Sequence, residues 1–450
     1  MKRKMLPLPR WVNLELLMTL FGEERYFFVL DSSKSKDQES HWTYVAWNPT
    51  DILELNTSSE AEDGAERMER FLQSHLNPSL KKPHGCGPFA GGFLTFVSYD
   101  LGMSFVEVPT RFMHNSIIPL GFIGYYPLVI AINEKNSKVK IVFEEGLKEL
   151  AIEIRKVLQS QKGKVYQGTK GCFYLKEIEE YPDYYDKVKR IQDHIYEGDV
   201  YQVNYTRGFQ GYIKNIDTKA QYLELRKRNP SPFGAYIRGD GWSIQSTSPE
   251  RLVRCIGGTL QTKPIKGTIG KGKTPFQDRK NKKWLMSSPK DRAELLMIVD
   301  LERNDLSKVS RTGTVHVDRL YGLETYETVH HLVATISSKK VDALGPIGVL
   351  KGIFPGGSIT GTPKKRSMEI IDQLETHPRG MYTGSIGYID HNGDFDYNIA
   401  IRTILTEGDQ VRFNVGGGIT WKSNPLDEYN ETEDKGLGLK RGLGLDDNNR

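Results

Sequence analysis

Cysteine is scarce in this sequence. Three cysteines occur among 450 residues, at Cys86, Cys172 and Cys255. Their number is odd and their spacing matches no metal-binding pattern, which argues against a disulfide framework and against a zinc site. We therefore expect reduced, packed thiols and a cytoplasmic protein.

Long hydrophobic runs are also missing. The N-terminus begins with basic residues, but its apolar stretch is short, is interrupted by Pro, Asn and Glu, and leads to no small-residue cleavage site. Neither a signal peptide nor a membrane-spanning segment is expected. No internal repeat stands out either.

Neither positive nor negative charge dominates the chain. There are 62 basic and 57 acidic residues, a formal net charge of +5. So small an excess on so long a chain does not favour a nucleic-acid partner. It would suit a small anionic substrate if the positive charge is focused in a cleft.

Apolar and aromatic residues, by contrast, are plentiful. Hydrophobic residues make up 38% of the chain, with 22 Tyr and 18 Phe, which is ample for a core but more than one ordinary core needs. Strand-like and helical patterns fall in segregated runs, which predicts an α+β fold. Helices are expected over residues 147–159, 182–197, 288–305, 362–375 and 425–436.

The organisation along the chain suggests two parts that share one composite core. We place an N-terminal region at 1–165 and a second region at 175–440, joined by a polar, glycine-containing linker over 160–171. The glycine-rich stretch after residue 436 is expected to interrupt the last helix, and residues 441–450 are expected to fray.

Two of the expected helices carry paired carboxylates on one face. Ser288 is a suitable N-cap for the first, in which Asp291 and Glu294 lie three residues apart and Glu294 leads into the apolar stripe. The ordinary interpretation of Asp291 is helix capping.

In the second acidic helix, Asn424 is the expected N-cap and Pro425 the first helical residue. Glu428, Glu431 and Lys435 follow on one stripe. If the two helices converge, their carboxylates would suit Mg²⁺, which prefers oxygen ligands and keeps waters that a substrate can replace. A solvated acidic face would explain each helix equally well.

Two glycine-rich stretches could approach a ligand through their backbone. Residues 354–366 enter a helix with Thr362 as the expected N-cap, which offers backbone N–H groups to an anion. Residues 415–420 contain three consecutive glycines. Turn geometry alone would also explain both stretches.

Basic side chains occur in unusual settings at three further places. Arg402 lies in an expected strand over 396–407, on one face with Asn398 and Ala400, and suits either an anion-binding cleft or a solvated face. Lys266 lies in "PIKGT", where a solvated surface turn is the ordinary interpretation. A strand histidine such as His331 is more often structural than catalytic.

Taken together, the motifs resemble one known family. The runs "GDVYQVNYTRGF", "STSPERLV", "TKPIKGT", "KDRAELLMIVDLERNDL", "VHHLVATI", "FPGGSITGTPKKRSMEIIDQLE", "YTGSIGYI", "IAIRTI", "GGGIT" and "DEYNET" follow one another in order across roughly residues 180–435. They resemble the chorismate-utilising enzymes, which include anthranilate synthase, aminodeoxychorismate synthase, isochorismate synthase and salicylate synthase. The resemblance implies a two-sheet α/β sandwich like that of anthranilate synthase component I, with helices outside and the active site in the cleft between.

Within this family, two positions separate the activities. The lysine of "PIKGT", Lys266, resembles the aminodeoxychorismate synthases, whereas anthranilate synthases have alanine there. Gln202 stands where the isochorismate and salicylate synthases have a water-activating lysine. An amide is neither a base nor a charge at neutral pH, so water as the nucleophile is disfavoured.

The resemblance also implies roles for individual residues. Lys266 would be a covalent nucleophile, a role that requires its neutral amine, with Glu250 as general acid and His331 as an orienting group. The implied metal ligands for Mg²⁺ are Glu294 and Glu431, with Asp291 and Glu428 behind them. The implied substrate-binding residues are Tyr382, Arg402, Gly416, Gly417, Gly418, Thr268, Ser358, Lys435 and Gln202.

The implied reaction aminates chorismate at C4 and serves p-aminobenzoate and folate biosynthesis. Because no glutaminase signature is visible, ammonia from glutamine would require a separate glutaminase subunit. Two alternatives stay open: an anthranilate synthase component I, and a non-catalytic regulatory subunit that binds tryptophan or chorismate. The sequence leaves open whether the N-terminal region binds tryptophan, which glutaminase is the partner and what the oligomeric state is.

Overall fold

The structure is a computed structural model that describes residues 2–33, 41–112, 114–162, 168, 172–214, 217–325 and 329–445. Most of the expected linker over 160–171 and the last five residues of the expected tail lie outside these ranges. Within them, no helix is both long and apolar enough to cross a lipid bilayer.

The described strands form two antiparallel sheets. Their bounds are β1 (Arg3–Leu8), β2 (Phe27–Asp31), β3 (Trp42–Ala46), β4 (Asp51–Leu55), β5 (Gly92–Val97), β6 (Gly121–Tyr126), β7 (Leu128–Asn133), β8 (Lys138–Glu144), β9 (Cys172–Glu177), β10 (Gln202–Lys214), β11 (Phe233–Arg238), β12 (Trp242–Ser248), β13 (Arg251–Ile256), β14 (Thr259–Lys263), β15 (Ile265–Gly270), β16 (His316–Thr325), β17 (Val329–Lys339), β18 (Gly361–Thr362), β19 (Ser385–Asp390), β20 (Phe395–Asn398), β21 (Thr403–Glu407) and β22 (Gln410–Ile419).

The described α-helices lie outside the sheets. They are α1 (Leu14–Phe21), α2 (Ser58–Glu62), α3 (Gly64–His75), α4 (Tyr99–Phe105), α5 (Lys148–Ser160), α6 (Tyr181–Tyr196), α7 (Thr218–Arg228), α8 (Pro275–Ser287), α9 (Pro289–Val309), α10 (Pro346–Ile353), α11 (Lys364–Leu374) and α12 (Pro425–Gly442).

Both sheets take strands from the two halves of the chain. The larger sheet has the order β1-β8-β7-β3-β2-β11-β12-β21-β22-β10-β18, with β9 also pairing β10. The smaller has the order β15-β17-β14-β13-β20-β19-β5-β6-β4, with β16 also pairing β17. The division into regions 1–165 and 175–440 stays a prediction, and its two parts share strand pairs such as β2 with β11 and β5 with β19.

Buried apolar side chains fill three layers. Between the sheets, residues such as Phe28 and Ile244 of the larger sheet pack with Phe96 and Tyr388 of the smaller one. The outer face of the larger sheet packs against α1, α5 and α7. The smaller sheet packs against α3 and α9, in a cluster that also includes residues of α10 and α11. The expected two-sheet sandwich with outer helices is confirmed, because each sheet is apolar on both faces and must be covered twice.

The cysteines fit the same packing. Cys86 and Cys255 are buried free thiols. The side chain of Cys172 lies outside the described part of the structure.

Three local predictions were wrong. Residues 396–407 are not one strand: β20 and β21 belong to different sheets, and Arg402 between them has a φ of 52°. Thr362 is not a helix N-cap, because it ends β18 and the helix begins at Lys364. The last helix is not interrupted after residue 436 and continues to Gly442, where Leu439 and Leu443 pack against Phe209 and Phe413.

Candidate active site

The predicted site residues come from both sheets and from the segments that cross between them. Gln202 begins β10 and the glycine run lies on β22, both in the larger sheet. Lys266 lies on β15 and His331 on β17, both in the smaller sheet. Two segments pass from one sheet to the other here: Glu250 lies between β12 and β13, and Arg402 between β20 and β21. The cleft between the sheets is therefore where these residues can meet.

Glu250 is a buried carboxyl that retains its proton more strongly than usual. Burial raises its pKa, and Lys266 and the hydroxyl of Ser358 offset part of that rise. Ser358 Oγ donates to Glu250 Oε1 over 3.0 Å. A carboxyl with a raised pKa beside an ammonium group is suited to deliver a proton to a leaving hydroxyl.

The charge of Lys266 acts on two carboxylates. It lowers the pKa of Glu250 and that of Glu431 on α12. The next residue, Gly267, has a φ of 74°, and a Cβ there would lie 2.9 Å from Asp291 Oδ1. Glycine at this position therefore lets the N-terminal turn of α9 pack directly behind the lysine.

His331 is held in its neutral form. Burial, Arg402 and His330 together lower its pKa to about 4. Its Nδ1 is 2.8 Å from the hydroxyl of Thr268, which faces it across the β15–β17 pair. A neutral imidazole of fixed orientation can position polar groups without adding charge.

Arg402 is a cation without an acidic partner in the described structure. Its side chain makes no ion pair or hydrogen bond there, and desolvation lowers its pKa. Its positive φ is uncommon for a residue with a side chain and is maintained by the change of sheet at this point. An unpaired guanidinium in a cleft is suited to a carboxylate ligand.

The glycine run of β22 packs closely against Gln202 and α12. A Cβ on Gly418 would lie 2.6 Å from Nε2 of Gln202, and one on Gly417 would lie 3.2 Å from Glu428 Oε2. The Gly416 carbonyl accepts a hydrogen bond of 2.9 Å from Lys435. Glycine therefore lets the backbone of β22 approach Gln202 and α12 closely, where a side chain would be crowded.

The carboxylates of α12 are balanced by lysines. Glu431 forms an ion pair of 2.7 Å with Lys435. Burial alone would raise the pKa of Glu431, but Lys435 and Lys266 hold it below the ordinary value. Burial and the charge of Glu431 raise the pKa of Glu428, while Ser423 donates to Glu428 over 2.8 Å.

The first acidic helix, α9, carries Glu294 and Lys290. Glu294 is one-third exposed rather than fully interior, and Lys290 lies 3.9 Å from it. Lys290 also lowers the pKa of Glu428 and Glu431, so its charge acts on both helices. The sequence patterns did not single out Lys290, although its position four residues before Glu294 is a signal for such a pair.

The four carboxylates could hold a divalent cation. Their donor atoms are all oxygen, which suits a hard cation. The pKa of Glu428 is raised because neighbouring positive charge does not fully balance its carboxylate, and a bound cation would supply the missing charge. In the described structure, however, no three of these carboxylates have oxygens within 4.8 Å of one another. The metal ligand set therefore stays a prediction.

Tyr382 is the predicted site residue least connected to the others. Its ring is buried, and burial raises the pKa of its hydroxyl. The backbone joins it to the site, because the N–H of the next residue, Thr383, donates to the carbonyl of Ala400, two residues before Arg402.

Comparison with known proteins places this geometry in a family. The family model for chorismate binding enzymes matches residues 26–440. This chain therefore belongs to the chorismate binding enzymes.

Individual relatives refine the comparison. A Klebsiella aerogenes protein named aminodeoxychorismate synthase component 1 is 37% identical over 368 residues, which is 82% of this chain and 80% of that protein. A Haloarcula marismortui protein named anthranilate synthase component 1 is 33% identical and spans 89% of this chain and 83% of that one. The crystal structure of anthranilate synthase component I from Streptococcus pneumoniae matches with a TM-score of 0.76 at 24% identity, covering 91% of this chain and 93% of the other.

Proposed function

We propose that the chain is component 1 of an aminodeoxychorismate synthase, which converts chorismate and ammonia to 4-amino-4-deoxychorismate. The observation that carries the proposal is Lys266, whose charge acts on both the buried acid Glu250 and Glu431. The similarity to proteins of that name over most of the chain supports it.

In the proposed reaction, Lys266 first loses its proton to solvent, and its neutral amine then forms a bond to C2 of chorismate. The electrons of the ring double bond shift, the C4–O bond breaks, and the hydroxyl leaves as water with the proton of Glu250. Ammonia then forms the C4–N bond, the electrons shift back, and the bond to Lys266 breaks and releases its neutral amine. The new ammonium group at C4 returns a proton to Glu250. The pKa of Glu250, which burial raises, supports the role of acid.

Binding of chorismate would divide its two carboxylates between the ends of the cleft. Arg402 is suited to one of them because it has no acidic partner among the described residues. Mg²⁺ on Glu294 and Glu431, with Asp291 and Glu428 behind, would supply electrostatic attraction for the other. Gln202, which lies beside Gly418, carries an amide that is not a base, so it would not activate water as a nucleophile.

The source of ammonia is a further part of the proposal. We infer a separate glutaminase subunit, because the relatives named component 1 imply a second component. The two buried free thiols, Cys86 and Cys255, support a reducing compartment, and we propose the cytoplasm.

The proposal is tested by product analysis. The purified chain is incubated with chorismate, ammonium chloride and Mg²⁺, and the products are separated by liquid chromatography with mass detection. We expect 4-amino-4-deoxychorismate without pyruvate. Incubation with chorismate in the absence of ammonia, followed by intact mass measurement, should reveal an adduct that Lys266→Ala lacks.

A second candidate is anthranilate synthase component 1, favoured by the similarity to the Haloarcula protein. It would release pyruvate and fluorescent anthranilate in the same assay. Either signal as the main product would overturn amination at C4. No consumption of chorismate under any of these conditions would instead favour a non-catalytic regulatory subunit.

A further inference from the structure

A buried ion pair lies directly behind the proposed site. Glu375 follows the end of α11, and its carboxylate binds Arg379 four residues later, with Nη2 to Oε1 at 2.7 Å and Nε to Oε2 at 3.0 Å. The two side chains are only 1% and 2% exposed. The ring of Tyr99 on α4 covers the guanidinium at 4.5 Å.

The first contact of this pair leads to the proposed acid. Arg379 Nη1 donates to the carbonyl of Ile359 over 2.9 Å. The preceding residue is Ser358, whose hydroxyl binds Glu250. Arg379 therefore fixes the backbone that carries the only hydrogen-bond donor to the Glu250 side chain in the described structure.

The second contact leads to the glycine run. Arg379 Nη2 donates to the carbonyl of Asn204 over 2.7 Å, and Glu375 Oε1 accepts from the backbone N–H and hydroxyl of Thr206 at 3.1 and 2.8 Å. On the neighbouring strand, Asn204 pairs with Gly418 and Thr206 with Gly416. The ion pair thus holds β10 at two points beside the strand that carries the glycine run.

The third contact leads to the turn that carries Tyr382. The carbonyl of Arg379 accepts from the N–H of Tyr382 over 3.1 Å, and Nη1 is 3.4 Å from the hydroxyl of Thr383. Asp100, at the start of α4, accepts from the N–H of Gly380 over 3.0 Å. The N-terminal half of the chain therefore braces this turn.

A comparable ion pair elsewhere makes no such connections. Arg3 and Asp390 are equally buried, with 1% and 0% exposure and a distance of 2.9 Å. The backbone carbonyls that Arg3 binds belong to Leu80, Lys81, Ala90 and Gly91. None of these residues adjoins a proposed site residue, so this pair provides a matched control.

We propose that Arg379, held by Glu375, is a positioning residue of the chorismate site. It sets three elements relative to one another: the Ser358–Glu250 contact, the glycine run of β22 and the turn of Tyr382. It does this from behind, through backbone carbonyls, so it touches no substrate. The identity of the reaction rests on the proposed function, but the positioning role does not depend on which product forms.

The test uses the full-length chain with Arg379→Lys, which keeps the charge but loses the planar fork, and Arg3→Lys as the control. Folded protein is quantified by circular dichroism, and kcat and KM for chorismate are measured per folded molecule with ammonium and Mg²⁺ in excess. We expect Arg379→Lys to lower kcat/KM by about 100-fold, since small displacements of positioned groups have effects of this size. Arg3→Lys should change the folded fraction and leave kcat/KM within twofold.

Two further readouts separate positioning from folding. Because Ser358 would move away from Glu250, the alkaline limb of the pH–rate profile should shift upward in Arg379→Lys and stay in place in Arg3→Lys. If Arg379→Lys does not fold, Thr206→Val, which removes one hydroxyl contact to Glu375 and keeps the ion pair, should still lower kcat/KM severalfold.

Unchanged kcat, KM and pH profile per folded molecule in Arg379→Lys would overturn the positioning role, as would equal losses in Arg3→Lys. If the variant is unfolded, an unchanged Thr206→Val would do the same. Failure of the proposed function gives a different result. The wild-type chain would then bind chorismate in calorimetry without amination, or convert chorismate to another product. The same variants would be compared on that binding or conversion.

Discussion

The hydroxyl of Ser358 donates a 3.0 Å hydrogen bond to Oε1 of Glu250, and both residues are buried. This contact joins the glycine-rich loop after α10 to the segment where the chain crosses from the larger to the smaller sheet. It matters for chemistry because a hydrogen bond to a carboxylate favours the charged form, in opposition to burial.

Removal of that hydroxyl should therefore move the pH profile. In Ser358→Ala, the pKa of Glu250 loses a lowering contribution and rises further. An acid with a higher pKa stays protonated to higher pH, so the alkaline limb of kcat/KM for chorismate should move upward. Ser385→Ala, a buried serine that donates only to the carbonyl of Asn398, is the control. A limb that stays in place would exclude Glu250 as the acid.

Arg402 should show opposite effects on stability and activity. Arg402→Gly relieves a backbone φ of 52°, and relief of such strain is worth about 1 kcal/mol. The same change removes the guanidinium proposed to bind a carboxylate, so KM for chorismate should rise at least tenfold. Urea unfolding and steady-state kinetics measure the two effects. A stable variant with an unchanged KM would contradict the binding role.

The glycine run should not tolerate a methyl group. In Gly418→Ala, the new Cβ would lie 2.6 Å from Nε2 of Gln202 and displace that amide into the ligand space. We expect KM for chorismate to rise by about tenfold, equivalent to about 1.4 kcal/mol of lost binding. Gly146→Ala, where no atom lies within 4 Å of the new Cβ, should have wild-type kinetics.

Lys290 should compete with a metal ion. It is 80% exposed, lies 3.9 Å from Glu294 and acts on both glutamates of α12. Its replacement in Lys290→Met removes a positive charge from the four carboxylates, so the half-saturating Mg²⁺ concentration should fall about twofold to fivefold. Calorimetric Mg²⁺ titration measures this, with Lys156→Met on α5 as control. Weaker Mg²⁺ binding would argue that Lys290 supports the site rather than competing.

Glu302 should make the protein less stable as the pH rises. Burial, with Asp305 adding to it, raises its pKa to about 8. The folded state therefore binds this proton more tightly than the unfolded state, in which the carboxyl has an ordinary pKa. Its contribution to stability is complete below about pH 4.5 and is lost as the pH approaches 8.

The slope can be measured by urea unfolding at several pH values between 5 and 8. Glu302→Gln keeps the neutral shape and should remove up to about 1.4 kcal/mol per pH unit of this dependence. Glu224→Gln, at a side chain that is 41% exposed, should leave the slope unchanged. Equal slopes in wild type and Glu302→Gln would show that Glu302 is ionised across the range.

The sequence by itself determined the local elements and the identity of many proposed site residues. Ser288 and Asn424 are N-caps as expected, because their side chains accept from the first free N–H groups of α9 and α12. The order of motifs indicated the family and the two-sheet sandwich. These features depend on neighbours in the chain, or on patterns shared across a family, and can be recognised without coordinates.

Only the tertiary structure decided where the chain changes sheet and which charges meet. Residues 396–407 read as one strand, yet pairing with β13 and β12 draws their two halves into different sheets and leaves Arg402 at a positive φ. The effect of Lys290 on α12 and the place of Arg379 behind the site are likewise invisible in spacing. Their roles arise from contacts between residues distant in sequence, and burial sets the energy of those contacts, so local pattern carries no signal for them.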